Sequence, residues 1–248
     1  MRKKLFYFLG TIVLLLVVSR LFVYSTGIKS DDELHQEQFT AQYNIFSVLQ
    51  PNNLNFSGED VPIYSPEIWE RIDKELLKNI YWQSNTMLYF KRANKYFPVI
   101  EPILRKYKIP DDFKYLAVIE SGLENVVSPS GAAGFWQIMK TTGREFGLEV
   151  NKDIDERYNL EKATIVACEY LLEAYSRFGN WTMSAAAYNM GMNGAARRIQ
   201  QQSSDNYYNL YLNSETARYV FRIIAVKEIM QNPKKYGFMF SSEIEFSS

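Results

Sequence analysis

Hydrophobic and polar positions change their pattern twice along the 248-residue chain. Leu5 to Val18 (LFYFLGTIVLLLVV) is almost unbroken apolar sequence, followed by Ser19, Arg20 and LFVY. Residues 25–63 are largely polar, with scattered Asn, Gln, Ser and Gly. From Val61 onward the helical period takes over. Ser65-Pro66-Glu67 reads as an N-cap, a proline at the first helical position and an early acid, and predicts a helix to about Gln83. A second helical stretch covers about 84–108, with Pro98 expected to interrupt it. Pro110-Asp111-Asp112 caps a short helix to about Ser121, and Asn159 caps a long one to Phe178. The apolar positions Ala163, Val166, Ala167, Tyr170, Leu171, Ala174 and Phe178 follow the 3.6 period, with Cys168 expected as a plain core residue beside them. Further helices are expected at 181–190, 193–202 and 214–231. Alternating strand runs of convincing length are absent. The expected class is all-α, with at most a small β element near 123–138.

Charge divides the chain in the same places. Lys plus Arg and Asp plus Glu each number 28, a formal balance of zero. Residues 1–29 carry five basic residues and no acid, and residues 31–60 carry six acids and no base. The remainder is nearly neutral at +1. A basic start before an apolar run has the form of a secretory signal or an uncleaved signal-anchor, cut if at all near Val23-x-Ser25. A spanning helix needs about 20 mostly apolar residues, which Leu5–Tyr24 supplies if Arg20 is tolerated near one end. Positive-inside logic then puts the basic end in the cytoplasm and the rest outside the inner membrane. The organisation read from this is a signal or anchor helix at 1–24, an acidic tether at 25–63, a helical extension at 64–108, a catalytic domain at 109–232 and a tail at 233–248.

The charge balance demotes nucleic-acid binding, which calls for a basic surplus. One histidine (His35) and one cysteine (Cys168) leave no HExxH zinc site, no Cys/His zinc cluster and no internal disulfide. A Ser-His-Asp or Cys-His nucleophile would have to use His35, which lies in the polar stretch. Carboxylates, hydroxyls, amides and aromatic rings remain.

Glu120 is the most informative of these. It ends the run Leu116-Ala117-Val118-Ile119 and shares a helical face with Phe113, Leu116 and Ala117. Buried there, it would have its pKa raised toward the range a general acid needs; turned outward at the helix end, it would be an ordinary surface acid. The segment from Ser128 to Met139 (SPSGAAGFWQIM) combines a Gly-rich turn with Phe135, Trp136, Gln137 and Met139. Flat apolar faces beside an amide suit sugar rings, and the same residues suit a turn packed tightly on a helix with Trp136 as core. Tyr188 and Asn189 stand in AAYNMG, whose small residues allow close helix packing. Ser214-Glu215-Thr216 fits a helix start with Ser214 as N-cap and Glu215 at the positive helix end, with Tyr219 one turn on.

The four segments ESGL (120–123), GAAGFWQIM (131–139), AAYNMG (186–191) and ETARYV (215–220) occur in an order and spacing that resemble the lytic transglycosylase catalytic domain of the goose-lysozyme-like superfamily. The resemblance covers roughly 100–232. Phe135-Trp136-Gln137 is most similar to the branch of membrane-bound lytic murein transglycosylase D. The resemblance implies a lysozyme-like α-helical fold with an N-terminal membrane or signal helix. It also implies cleavage of the β-1,4 bond between N-acetylmuramic acid and N-acetylglucosamine to a 1,6-anhydro product. Glu120 would be the sole acid/base, with the substrate acetamido group standing in for the second carboxylate of an ordinary glycosidase. Nearby Glu124, Glu145, Asp153 and Asp155 fall outside the motifs. Ser130, Gln137, Met139, Tyr188, Asn189, Glu215 and Tyr219 would line the substrate groove, while Ser121 and Gly134 support the turn. No metal or organic cofactor is implied. The implied partners are peptidoglycan glycan strands, and the membrane if the first helix is retained; nucleic acid is not among them. The protein is expected to act as an exported monomer in the periplasm or cell envelope. A hydrolase of the same fold and an inactive glycan-binding protein are the alternatives.

Overall fold

The structure, a computed structural model, describes residues 2–27, 31–42 and 45–240. It divides into two compact units, Met1–Ser47 and Val48–Ser248. In the first, α1 (Arg2–Gly27) contains an exposed 19-residue run, Lys3–Leu21, long and apolar enough to cross a membrane. Two of its hydroxyls fold back on the helix: Thr11 donates to the Phe8 carbonyl at 2.8 Å and Ser19 to that of Leu16 at 2.9 Å. Neither polar group therefore needs a partner outside the helix. A second helix, α2 (Asp31–Gln42), occupies part of the stretch expected as tether. The side chains of Val23 and Ser25, and residues 241–248 of the expected tail, lie outside the described residues.

The second unit begins inside the expected tether. A short antiparallel hairpin, β1 (Asn55–Phe56) with β2 (Glu59–Asp60), turns through Ser57 and Gly58. Leu54, Phe56, Val61 and Ile63 are buried with the core. Residues 48–63 thus differ from a spacer: four apolar side chains in a polar stretch are enough to fix them. Glu59 is structural too. Its carboxylate accepts from the Trp181 and Thr182 amides at 2.5 and 2.9 Å, at the positive end of α8 (Trp181–Met190).

Helices α3 (Pro66–Tyr81), α4 (Gln83–Lys106) and α5 (Lys114–Ser121) follow, the last entered through a 3-10 turn at Asp111–Phe113. Then come α6 (Lys140–Glu145), α7 (Leu160–Phe178), α8, α9 (Met192–Gln202) and α10 (Ser214–Gln231). Pro98 does not interrupt α4, which runs through both Pro98 and Pro102. Its buried residues Thr86, Phe90, Ala93, Phe97, Ile100 and Leu104 recur every three or four positions, and the helix packs on α7. That burial offsets the roughly 3 kcal/mol cost of an internal proline. Helix α6 was not expected from the sequence. The β element expected near 123–138 is a pair of isolated bridges, Val127 to Ala133 and Ala133 to Ile138, while the two-stranded sheet lies earlier, at 55–60.

The core gathers around α7, α8 and α10. Asn159 caps α7 by accepting from the Lys162 amide, and Gly179 ends it in the left-handed conformation. Cys168 is fully buried in α7, and that burial pushes its thiol up to about 12. Helix α10 lies between α3 and α5. Its N-cap is Asn213 rather than Ser214: the Asn213 carboxamide oxygen accepts from the Glu215 and Thr216 amides at 3.1 and 2.9 Å.

Candidate active site

Helix α5 is only eight residues long, and Tyr115, Leu116, Ala117, Val118 and Ile119 are all buried. Gly122 ends it with a φ of +63°, and the Val118 carbonyl accepts from its amide at 2.8 Å. The chain therefore stops with Glu120 facing α10, where the Tyr219 hydroxyl donates to Glu120 Oε1. Tyr219 is itself 1% exposed. Burial pushes Glu120 up to about 7; the Tyr219 bond and the Arg222 charge pull it down, and Glu215 adds to the rise. The inward reading of Glu120 is the one the fold adopts.

Hydrogen bonds join the four sequence segments into a closed ring. Ser121 Oγ donates to the Phe135 carbonyl at 2.8 Å, joining the first segment to the second. Tyr188 donates to the Trp136 carbonyl at 2.8 Å, joining the second to the third. Asn189 Nδ2 donates to Glu215 Oε1 at 3.1 Å, and the Thr216 hydroxyl donates to Asn189 Oδ1 at 2.7 Å, joining the third to the fourth. Tyr219 and Glu120 close the circuit. Burial, with the Glu120 charge next, holds the Tyr188 phenol well above its ordinary value. Burial likewise raises Tyr219, so both phenols stay protonated and keep donating.

The Gly-rich turn differs from an open sugar platform. Trp136 is fully buried and donates to Thr164 Oγ1 at 2.8 Å, and Phe135 is 4% exposed, so both are core. Gln137 has a φ of +47° and spends its amide hydrogens on the Val126 and Gly134 carbonyls, at 3.0 and 2.8 Å. Its carboxamide oxygen remains as an acceptor. Met139 is exposed, and Ser130 lies exposed in the turn, where Ser128 Oγ accepts from the Ala132 amide. Gly134 has a φ of +79°, and a Cβ there would come within 2.1 Å of the Arg157 carbonyl oxygen. No other residue fits.

Two arginines went unread in the sequence. Buried Arg157 donates to the Gly131 and Ile138 carbonyls at 2.8 and 3.0 Å and pairs with Asp155. The Arg157 hydrogen bonds hold Asp155 below its ordinary value, so that carboxylate is committed. Arg222 donates to the Ile119 carbonyl at 2.8 Å and places a positive charge near Glu120. Its spacing of one helical turn from Tyr219 was the available signal. Glu124 pairs with Arg92, and Glu145 and Asp153 are exposed. Among the described residues, Glu215 is the carboxylate whose charge acts on Glu120, and no group of three or more His, Cys, Asp or Glu could hold a metal ion.

Residues 98–211 match the model of the transglycosylase SLT domain. The chain is 30% identical over 191 residues to membrane-bound lytic murein transglycosylase D of Escherichia coli strain K12, and equally to that of Escherichia coli O6:H1. These alignments cover 73% of this chain and 41% of each relative, so the chain spans about two fifths of their length. A putative tributyltin chloride resistance protein of Alteromonas sp. strain M-1 is 26% identical over 125 residues, 50% of this chain and 60% of that protein.

Proposed function

This chain carries a transglycosylase SLT domain at residues 98–211, and on that premise we propose that it is a peptidoglycan lytic transglycosylase. The substrate is the β-1,4 bond between N-acetylmuramic acid and N-acetylglucosamine, and the product ends in 1,6-anhydromuramic acid. The observation that carries the reading is the Glu120 carboxyl, raised by desolvation to about 7 and held by a phenol rather than by a cation.

Glu120 holds its proton near neutrality and gives it to the glycosidic oxygen as the bond breaks. The cationic sugar is stabilised by its own acetamido oxygen. The Tyr219 hydrogen bond and the Arg222 charge favour the carboxylate that this transfer leaves behind. That carboxylate then takes the proton of the muramic C6 hydroxyl, whose oxygen closes the anhydro ring. One group serves twice, so the second carboxylate of a retaining or inverting glycosidase is not required. Asn189 and Glu215 form the wall beside the scissile bond. Tyr188 anchors the floor to Trp136, and the free Gln137 oxygen and Met139 face the strand.

The apolar α1 serves as signal or anchor, and the folded unit works on the outer side of the membrane, in the cell envelope. Mass spectrometry of digested peptidoglycan tests the reaction. Products one water lighter than hydrolytic fragments are the expected result; fragments of full hydrolytic mass would make the protein a hydrolase of the same fold.

A further inference from the structure

Helix α9 carries Gly194, Arg197, Arg198 and Gln201 at i, i+3, i+4 and i+7, one face of a helix. With Met190 and Asn213, these residues line a cavity of about 380 Å³. Two of its walls continue from the site above. Met190 follows Asn189 in α8, and the Asn213 carboxamide caps α10 through the Glu215 and Thr216 amides. The floor at Gly194 is open, since a Cβ there would approach Met190 no closer than 3.8 Å.

The two arginines differ from those that hold the backbone of this unit in place. Arg71, Arg92, Arg157 and Arg222 each hold a backbone carbonyl. Arg197 and Arg198 are exposed, α9 contains no acid, and among the described residues neither guanidinium forms an ion pair. Arg198 touches Gln201 Oε1 at 3.4 Å. A planar guanidinium presents paired donors that match a carboxylate. A neutral sugar ring gives such a pair of positive charges nothing to neutralise. The peptide substituent of a muramic residue carries carboxylates.

We propose that the Arg197–Arg198 pocket binds a carboxylate of the peptide substituents on the glycan strand, beside the cleavage point. The proposal rests on the transglycosylase reading and names the form of substrate preferred: peptide-bearing strands over bare ones. The Glu215 carboxylate on the neighbouring wall disfavours a second carboxylate there, which leaves the α9 face as its place.

The test uses the full chain on two soluble substrates, peptide-bearing glycan strands and the same strands stripped by an amidase, which leaves the lactyl carboxylate of each muramic ring but none of the peptide's. The double substitution Arg197→Ala with Arg198→Ala is expected to lower kcat/KM about tenfold on the peptide-bearing strands, the loss of one good charge-assisted contact. On stripped strands the change stays below about twofold. The double lysine substitution keeps the charge without the fork and recovers part of the loss at low salt. An equal fall on both substrates would place the arginines on the glycan or the fold and overturn the proposal, as would no fall on peptide-bearing strands. A wild-type protein inert on both removes the transglycosylase reading and the proposal with it, a failure distinct from the loss of peptide discrimination alone.

Discussion

Helix α10 faces two desolvated glutamates, one on each side, and the two behave in opposite ways. On the α3 side, Glu75 is 3% exposed and accepts from Arg218 Nε and Nη2 at 2.8 and 3.2 Å and from Lys78 at 3.0 Å. Burial pushes its carboxyl up, but the hydrogen bonds and charges of Arg218 and Lys78 outweigh that and leave it below its ordinary value. On the α5 side, Glu120 meets Tyr219, the very next residue of α10, and rises to about 7. Burial alone therefore does not make an acid catalyst. What decides is whether the partner brings a full positive charge into hydrogen-bond contact, as Arg218 does, or only a dipole, as Tyr219 does. The Arg222 guanidinium acts on Glu120 through its charge, while its Nη2 donates to the Ile119 carbonyl.

The strongest way to break this contrast is Glu120→Gln. It keeps an oxygen for Tyr219 but has no proton to give, and product release should fall at least about 100-fold, measured by chromatography of digested peptidoglycan. Activity left intact would take Glu120 out of the mechanism.

The same variant carries a stability signature of opposite sign. A folded-state pKa raised from 4.5 to about 7 means that the folded protein keeps a proton the unfolded chain loses, so stability declines as pH rises between those values. Above pH 7 the substitution should therefore stabilise by at most about 3 kcal/mol, and below about pH 4.5 by nothing, in denaturant unfolding at both pH values. Glu75→Gln should do the reverse. Its carboxyl is depressed, so its contribution is present above the unfolded value of 4.5 and is lost as pH falls through the lower folded value. A loss of about 2 kcal/mol at pH 7, shrinking on acidification, is expected; Arg218 is half exposed, which keeps this below the cost of a fully buried break. Equal effects at both pH values would remove the charge argument.

Tyr219→Phe sharpens the comparison with the smallest change. It deletes the bond that favours the carboxylate, so Glu120 titrates higher and the basic limb of the pH–rate profile moves upward from about 7. The rate at the optimum should fall about tenfold, the scale of one hydrogen bond to a charged group. An unmoved basic limb would mean that Tyr219 only packs.

Much of this contrast is legible in the sequence, because the helices are. Asn159, Gly179 and the apolar stripe of α7 announce that helix at both ends. Glu120 at the end of an apolar run is equally visible. What sequence does not carry is which partner each buried group finds. Nothing in the spacing of Glu75 and Arg218, 143 positions apart, marks them as a pair. Trp136 and Phe135 offered rings suited to a sugar, yet they are core, because Trp136 finds its indole partner in Thr164 on α7. Pro98 was read by its local cost, while the stripe from Thr86 to Leu104 that overrides it acts through α7. Glu59 looked like spacer charge, and only the positive end of α8 gives it a task. Local rules found the long helices of the folded unit; long-range pairing set their chemistry.

Cys168 gives the molecule a clock of its own. It is the chain's single thiol, fully buried in α7 and held protonated, so an alkylating reagent meets nothing reactive while α7 stays packed. Where alkylation outpaces reclosing, each modification records one opening of the central helix, and the labelling rate under native conditions reads how often it opens without any introduced probe.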